Sequence, residues 1–137
     1  MSAFHRPQQM SLGPLETEIL ELLWDFETAT VKTIHDRILS DPQRELAYTS
    51  VTTVLQRLTQ KGWVQRQKVG RSFQWRACLS RTEAQALRAQ EHLQQFLGVS
   101  NPDVVAAFAD RLDQASVAQL DELAQRLKAA RAQRGEG

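Results

Sequence analysis

Between Leu46 and Thr82 the chain contains no Asp or Glu, while Arg57, Lys61, Arg66, Lys68, Arg71, Arg76 and Arg81 all fall inside. The whole chain has a formal net charge of only +1, so everything outside this stretch sums to −6. A near-neutral total thus conceals a concentrated basic patch, which is what a polyanionic partner requires.

The same stretch carries a pattern. From Thr49 to Lys61, Val51, Val54, Leu55 and Leu58 recur at helical spacing on one face, with Thr49, Thr53, Gln56, Arg57 and Gln60 pointing away. Gly62 ends this helix, because it takes positive φ without a Cβ clash. Trp63 to Val69 and Phe73 to Cys78 then read as a β-hairpin turning at Gly70, with Phe73, Trp75 and Ala77 alternating against Gln74, Arg76 and Cys78. A polar-faced helix followed by a basic hairpin is the order of a winged helix. Hydroxyl, amide and guanidinium groups on such a helix can read base edges in a major groove, and the hairpin supplies cations for phosphates. A solvated amphipathic helix beside an ordinary hairpin remains the alternative.

Upstream, Gly13 and Pro14 start a first helix whose Leu15, Ile19, Leu22, Leu23 and Phe26 form a buried stripe, with Trp24 beside it covering the core. Thr30 is the expected N-cap of a second helix to about Leu39, facing inward through Val31, Ile34 and Ile38. His35 and Asp36 are adjacent there, but neighbouring helix positions diverge, and the pair reads as exposed surface rather than an acid–base couple. Ser40 to Glu45 is a loop. Residues 1–11 are polar and without periodicity, and read as a flexible tail. Residues 12–79 are then expected to form the DNA-binding domain.

Residues 80–137 change character. Ser80 and Glu83 have capping-box spacing and open a helix to about Leu97, with Leu87, Leu93, Phe96 and Leu97 as its larger apolar residues, and Gly98 closes it. Asn101 and Pro102 start another, carrying Val104, Val105, Phe108 and Leu112. Ser116 and Gln119 have the capping-box form again, before a stripe of Leu120, Leu123, Ala124 and Leu127. So short a segment buries its apolar faces poorly alone. Pairing with a second copy is the expectation, and packing onto the first domain the alternative. The fold class expected is mainly α with a small β-hairpin.

A single cysteine, Cys78, excludes an internal disulfide framework, and three scattered histidines offer no metal-ligand spacing, so no metal or cofactor is expected. Cys78 reads as a small hydrophobe at a strand end, with redox sensing as the other reading. No apolar run approaches a membrane span and the first residues lack a signal-peptide core, so a cytoplasmic protein is expected. There is no nucleophile–base arrangement and no phosphate-cradling glycine loop, which argues against an enzyme. A winged helix that binds protein rather than DNA is the alternative function, although it would not need an acid-free helix and wing.

Taken together, LGPLETEILELLW, TVKTIHDRI, AYTSVTTVLQRLTQKGWV and GRSFQWRA resemble the penicillinase-repressor family of bacterial transcription regulators, also called the BlaI/MecI/CopY family. The resemblance implies a homodimeric winged-helix repressor that binds an inverted repeat of TACA/TGTA half-sites. By position it makes Thr49, Ser50, Thr52, Thr53, Gln56 and Arg57 the recognition-helix contacts. Arg66, Lys68, Arg71 and Arg76 become the wing and its neighbours, holding phosphates, and Lys61, a further cation of the run, is counted with them among the DNA contacts. The helices after residue 80 would make the dimer. Antibiotic-sensing members resemble one another in an Asn-Phe bond cut when a membrane sensor protease is activated. The matching position here is Ala107-Phe108, although Phe108 also fits the apolar stripe with Val104, Val105 and Leu112. The cysteine cluster of copper-binding members is missing, so direct Cu(I) sensing by thiolates is not expected.

Overall fold

Three helices precede the hairpin and three follow it: α1 (Pro14–Phe26), α2 (Val31–Leu39), α3 (Tyr48–Lys61), β1 (Val64–Val69), β2 (Ser72–Ala77), α4 (Arg81–Leu97), α5 (Pro102–Arg111) and α6 (Gln114–Gln133). The structure is a computed structural model that describes residues 6–98 and 101–135. It divides into two compact units, one ending at Glu91 and the other beginning at His92.

In the N-terminal unit the apolar stripes meet as their spacing dictates. Ile19, Leu20 and Leu23 of α1, Ile34 of α2 and Val51, Leu55 and Leu58 of α3 are almost wholly buried, together with Trp63. Each helix has a local reason to start or stop. Pro14 occupies the first turn of α1, and the Gly13 amide donates to the Glu16 side chain at 2.7 Å. The Thr30 hydroxyl caps α2 by accepting from the Thr33 amide at 3.1 Å. Gly62 ends α3 in the left-handed region at φ 89°.

Between α1 and α2, Glu27 takes φ 69° in a tight turn in which the Thr28 amide donates to the Phe26 carbonyl at 2.8 Å. That reversal lays Ala29 antiparallel to Trp75, with backbone bonds of 3.0 and 2.8 Å in the two directions. The base of the hairpin is therefore clamped to the helices by a third, one-residue strand. β1 and β2 pair from Val64↔Ala77 to Val69↔Ser72, turning at Gly70 with φ 63°. Trp75 is buried, whereas Phe73, expected on the same inward face, is 38% exposed because the hairpin extends past the core. Arg66 covers its ring instead, at 4.1 Å from the centroid.

Residues 6–11 differ from the flexible tail expected of them. The Gln8 and Gln9 amides both donate to the Lys61 carbonyl, at 2.8 and 3.3 Å, and the Trp63 indole donates to the Gln9 carbonyl at 2.9 Å. Pro7 is buried, Met10 packs on the core, and Arg6 pairs with Glu91 at 2.8 Å. A Cβ on Gly62 would sit 3.2 Å from the Gln8 nitrogen and the Pro7 Cα. The arm thus lies against the one residue without a side chain to block it. Residues 1–5 lie outside the described residues.

The division after residue 79 also moves. α4 opens with the expected capping box, the Ser80 amide donating to Glu83 at 2.8 Å and the Glu83 amide to the Ser80 hydroxyl at 3.0 Å. Its first half belongs to the N-terminal unit, with Ala84 buried and Leu87 packed against that core. Leu87 is therefore a core residue rather than part of an association surface.

Among the described residues, the C-terminal unit has none that is buried. Leu93, Phe96, Leu97, Val104, Val105, Phe108, Leu120, Leu123 and Leu127 are all exposed large hydrophobics. Asn101 caps α5 through the Asp103 amide at 2.8 Å, as expected. Leu112 follows the helix as its C-cap instead of extending its stripe. α6 is capped by Asp113, which accepts from the Ser116 amide at 2.7 Å. An aspartate three residues upstream takes the role expected of Ser116, and the helix starts a turn earlier.

Candidate nucleic-acid interface

The buried and exposed residues of α3 separate by face. Val51, Val54, Leu55 and Leu58 hold the helix in the core, leaving Thr49, Thr53, Gln56, Arg57 and Gln60 exposed, with Ser50 and Thr52 half-buried at its edges. The Thr53 hydroxyl donates to the Thr49 carbonyl at 3.0 Å, so its lone pairs remain available to an incoming donor. Ala47, the N-cap, offers no side-chain acceptor, and the Ser50 amide in the first turn of α3 donates to the Ala47 carbonyl instead, at 3.0 Å.

His35, expected to be surface, is half-buried and forms a 2.7 Å hydrogen bond between its Nε2 and the Leu46 carbonyl. Asp36 pairs with Lys32 at 2.7 Å and not with the histidine. Arg44, in the loop before α3, makes two hydrogen bonds of 2.8 and 3.0 Å to Glu18 of α1. These ties fix the N-terminal approach to α3.

The cations sort into two kinds. Lys61 is structural: its ammonium pairs with Glu16 at 2.8 Å and donates to the Ser11 carbonyl at 2.8 Å. That corrects its place among the phosphate contacts, because a carboxylate 45 residues upstream already neutralises it. Glu16 is buried. Burial pushes its carboxyl pKa up, but the Gly13 amide and the Lys61 ammonium outweigh it and hold it below its ordinary value. Arg81 is likewise occupied, by Glu21 and Asp25 at 3.0 Å each. In contrast, Arg57, Lys68, Arg71 and Arg76 are exposed and, among the described residues, in no ion pair. Arg66 is exposed too, its guanidinium stacked on Phe73.

The pairing register places Arg66 and Lys68 on one face of the hairpin with Trp75 and Phe73, and Arg76 on the other face with Gln65, Gln67 and Gln74. The wing therefore offers cations on both faces and amides on one. Cys78 is half-buried, and burial raises its thiol pKa against the opposing pull of Arg76, which disfavours the reactive thiolate. Groups of three or more His, Cys, Asp or Glu able to hold a metal ion are absent among the described residues.

In the C-terminal unit, Phe96, Leu97, Val104, Val105 and Phe108 line an open apolar groove of about 330 Å³. Phe96 and Phe108 meet there at 5.0 Å between ring centroids. The Ala107–Phe108 bond lies inside α5. No helix among the described residues is long and apolar enough to cross a membrane.

The model of the penicillinase repressor family matches residues 12–129. The transcriptional regulator BlaI of Mycobacterium tuberculosis is 44% identical over 54 residues, which cover 39% of this chain and 38% of that protein. An uncharacterised 16.5 kDa protein in the ptsI 3' region of Latilactobacillus sakei is 28% identical over 110 residues, 79% of this chain and 74% of its own length. The oxidised form of MarR from E. coli is a solved structure similar at a TM-score of 0.44 and 21% identity, covering 86% of this chain and 76% of its own.

Proposed function

The chain belongs to the penicillinase repressor family and is a transcriptional regulator; from that premise we propose that it represses transcription as a cytoplasmic homodimer bound to an inverted-repeat operator of the TACA/TGTA type. The observation that carries this reading is the acid-free stretch itself: a polar face on α3 followed by a wing whose cations stay unpaired, within one folded unit. Two such helices related by a two-fold axis would enter major grooves about 34 Å apart. The exposed apolar faces of α5 and α6 are the surface that would join the two copies. Relief of repression by a membrane sensor protease at Ala107–Phe108 would require α5 to unwind first, which a ten-residue helix with no buried residue resists little.

Titration of the protein with its own upstream region and with a scrambled duplex, across a salt series, tests this. Affinity is expected to fall linearly on log–log axes as counterions are released. Arg57→Ala is expected to cost about 1–3 kcal/mol on the operator only, whereas Arg71→Ala weakens both duplexes alike and reduces the salt slope by about 1. Monomeric protein indifferent to every duplex at low ionic strength would refute the reading.

A further inference from the structure

The first residue of α3, just ahead of the polar face that begins at Thr49, carries the most exposed aromatic side chain among the described residues of the N-terminal unit. Tyr48 is 50% exposed, against 38% for Phe73. It lies one turn before Thr52, on the edge of the solvent-facing surface.

The ring is exposed without being loose. The His35 imidazole meets it edge-on, with centroids 5.6 Å apart and planes at 72°. His35 is itself held through Nε2 by the 2.7 Å bond to the Leu46 carbonyl, and the nearby Lys32 and Asp36 are engaged with each other. An aromatic side chain ordered before anything binds loses little conformational freedom on contact.

We propose that Tyr48 is a specificity-determining contact of the recognition helix, its ring packing against the C5 methyl of a thymine in the half-site, and that His35 is the residue that positions it. The inference rests on the DNA-binding reading above. The reason is chemical: the thymine methyl is the one apolar group on a major-groove edge, so it is the group an apolar ring can discriminate. A phenol hydroxyl on a phosphate would add affinity without sequence information.

The test uses the full chain and three duplexes: the operator, the operator with half-site thymines replaced by deoxyuridine, and a scrambled sequence. Wild type is expected to lose about fourfold in affinity per contacted methyl removed, the factor that burial of one such group supplies. Tyr48→Ala is expected to lose a comparable factor on the operator and to be insensitive to the thymine replacement, while Tyr48→Phe behaves as wild type. His35→Gln keeps a donor for the Leu46 carbonyl without the ring; it is expected to melt like wild type yet share the specificity loss, and to add nothing to Tyr48→Ala. The proposal is overturned if Tyr48→Ala remains as sensitive to deoxyuridine as wild type, or loses equally on operator and scrambled duplex. A wild-type protein with no preference for operator over scrambled duplex sinks the DNA reading and this inference with it. A wild-type preference kept in full by Tyr48→Ala removes this inference alone.

Discussion

In the N-terminal unit Ile19, Leu23, Ile34, Val51, Leu55 and Leu58 are all but inaccessible to water, whereas in the C-terminal unit Leu97, Val105, Leu120, Leu123 and Leu127 each keep half or more of their surface exposed. Both regions use the same residue types at the same helical spacing. What differs is the number of layers. Three helices, a hairpin and the start of α4 can close around one centre, while α5, α6 and the end of α4 have faces and nothing within their own unit to bury them. The lesson is that apolar periodicity predicts a helix and its sticky side, but not whether the covering surface lies in the same chain.

That contrast can be broken at several points. The largest effect is expected from Leu55→Ala, which removes a wholly buried side chain at a cost of about 2–5 kcal/mol in a urea titration. A loss below about 1 kcal/mol would mean the core is far less closed than described. Next, Lys61→Ala strands the buried Glu16 carboxylate and is expected to cost about 2–3 kcal/mol, under the ~3–5 of a fully buried pair because the lysine side chain is 21% exposed. The salt slope of DNA binding is expected to stay unchanged in this variant. A reduced slope with intact stability would return Lys61 to the phosphate contacts.

The same pair has a pH signature. Because the folded Glu16 carboxyl sits below its ordinary value, its contribution is complete above the ordinary carboxylate range and disappears as pH falls through the depressed folded value. Glu16→Gln is expected to be less stable near neutrality and to show a shallower acid limb, measured as melting temperature against pH. Gly62→Ala comes next, at about 1–2 kcal/mol for a side chain at positive φ, with the arm's Pro7 and Gln8 as the displaced neighbours. The smallest effect sharpens the contrast most. Leu123→Ala is expected to change the stability of the N-terminal unit by less than about 0.5 kcal/mol while weakening self-association in sedimentation. Unchanged self-association would count against α6 as a dimer surface.

Features governed by near neighbours were legible in the sequence. Thr30, Gly62, Asn101 and the Ser80–Glu83 box all act within three residues or so of themselves, and each behaves as its spacing implies. Features that depend on distant partners were not. Lys61 reads as a free cation until Glu16 is brought beside it, and residues 6–11 read as a tail until the Lys61 carbonyl and the Trp63 indole meet them. Leu87 reads as part of an association stripe until α4 is seen to begin on the first core. Ser116 lost to Asp113 because two good caps lay three residues apart, and spacing alone does not rank them. In the interface, the polar face of α3 was readable, whereas Tyr48 escaped notice because an aromatic at a helix start looks like a staple until its exposure and its histidine partner are known.

All three tryptophans, Trp24, Trp63 and Trp75, fall in the N-terminal unit. Intrinsic emission excited at the indole band therefore reports on that half alone, while far-ultraviolet dichroism sums the helices of both. The molecule carries its own pair of orthogonal probes, and a gap between the two melting curves would display the separate unfolding of its halves with no label attached.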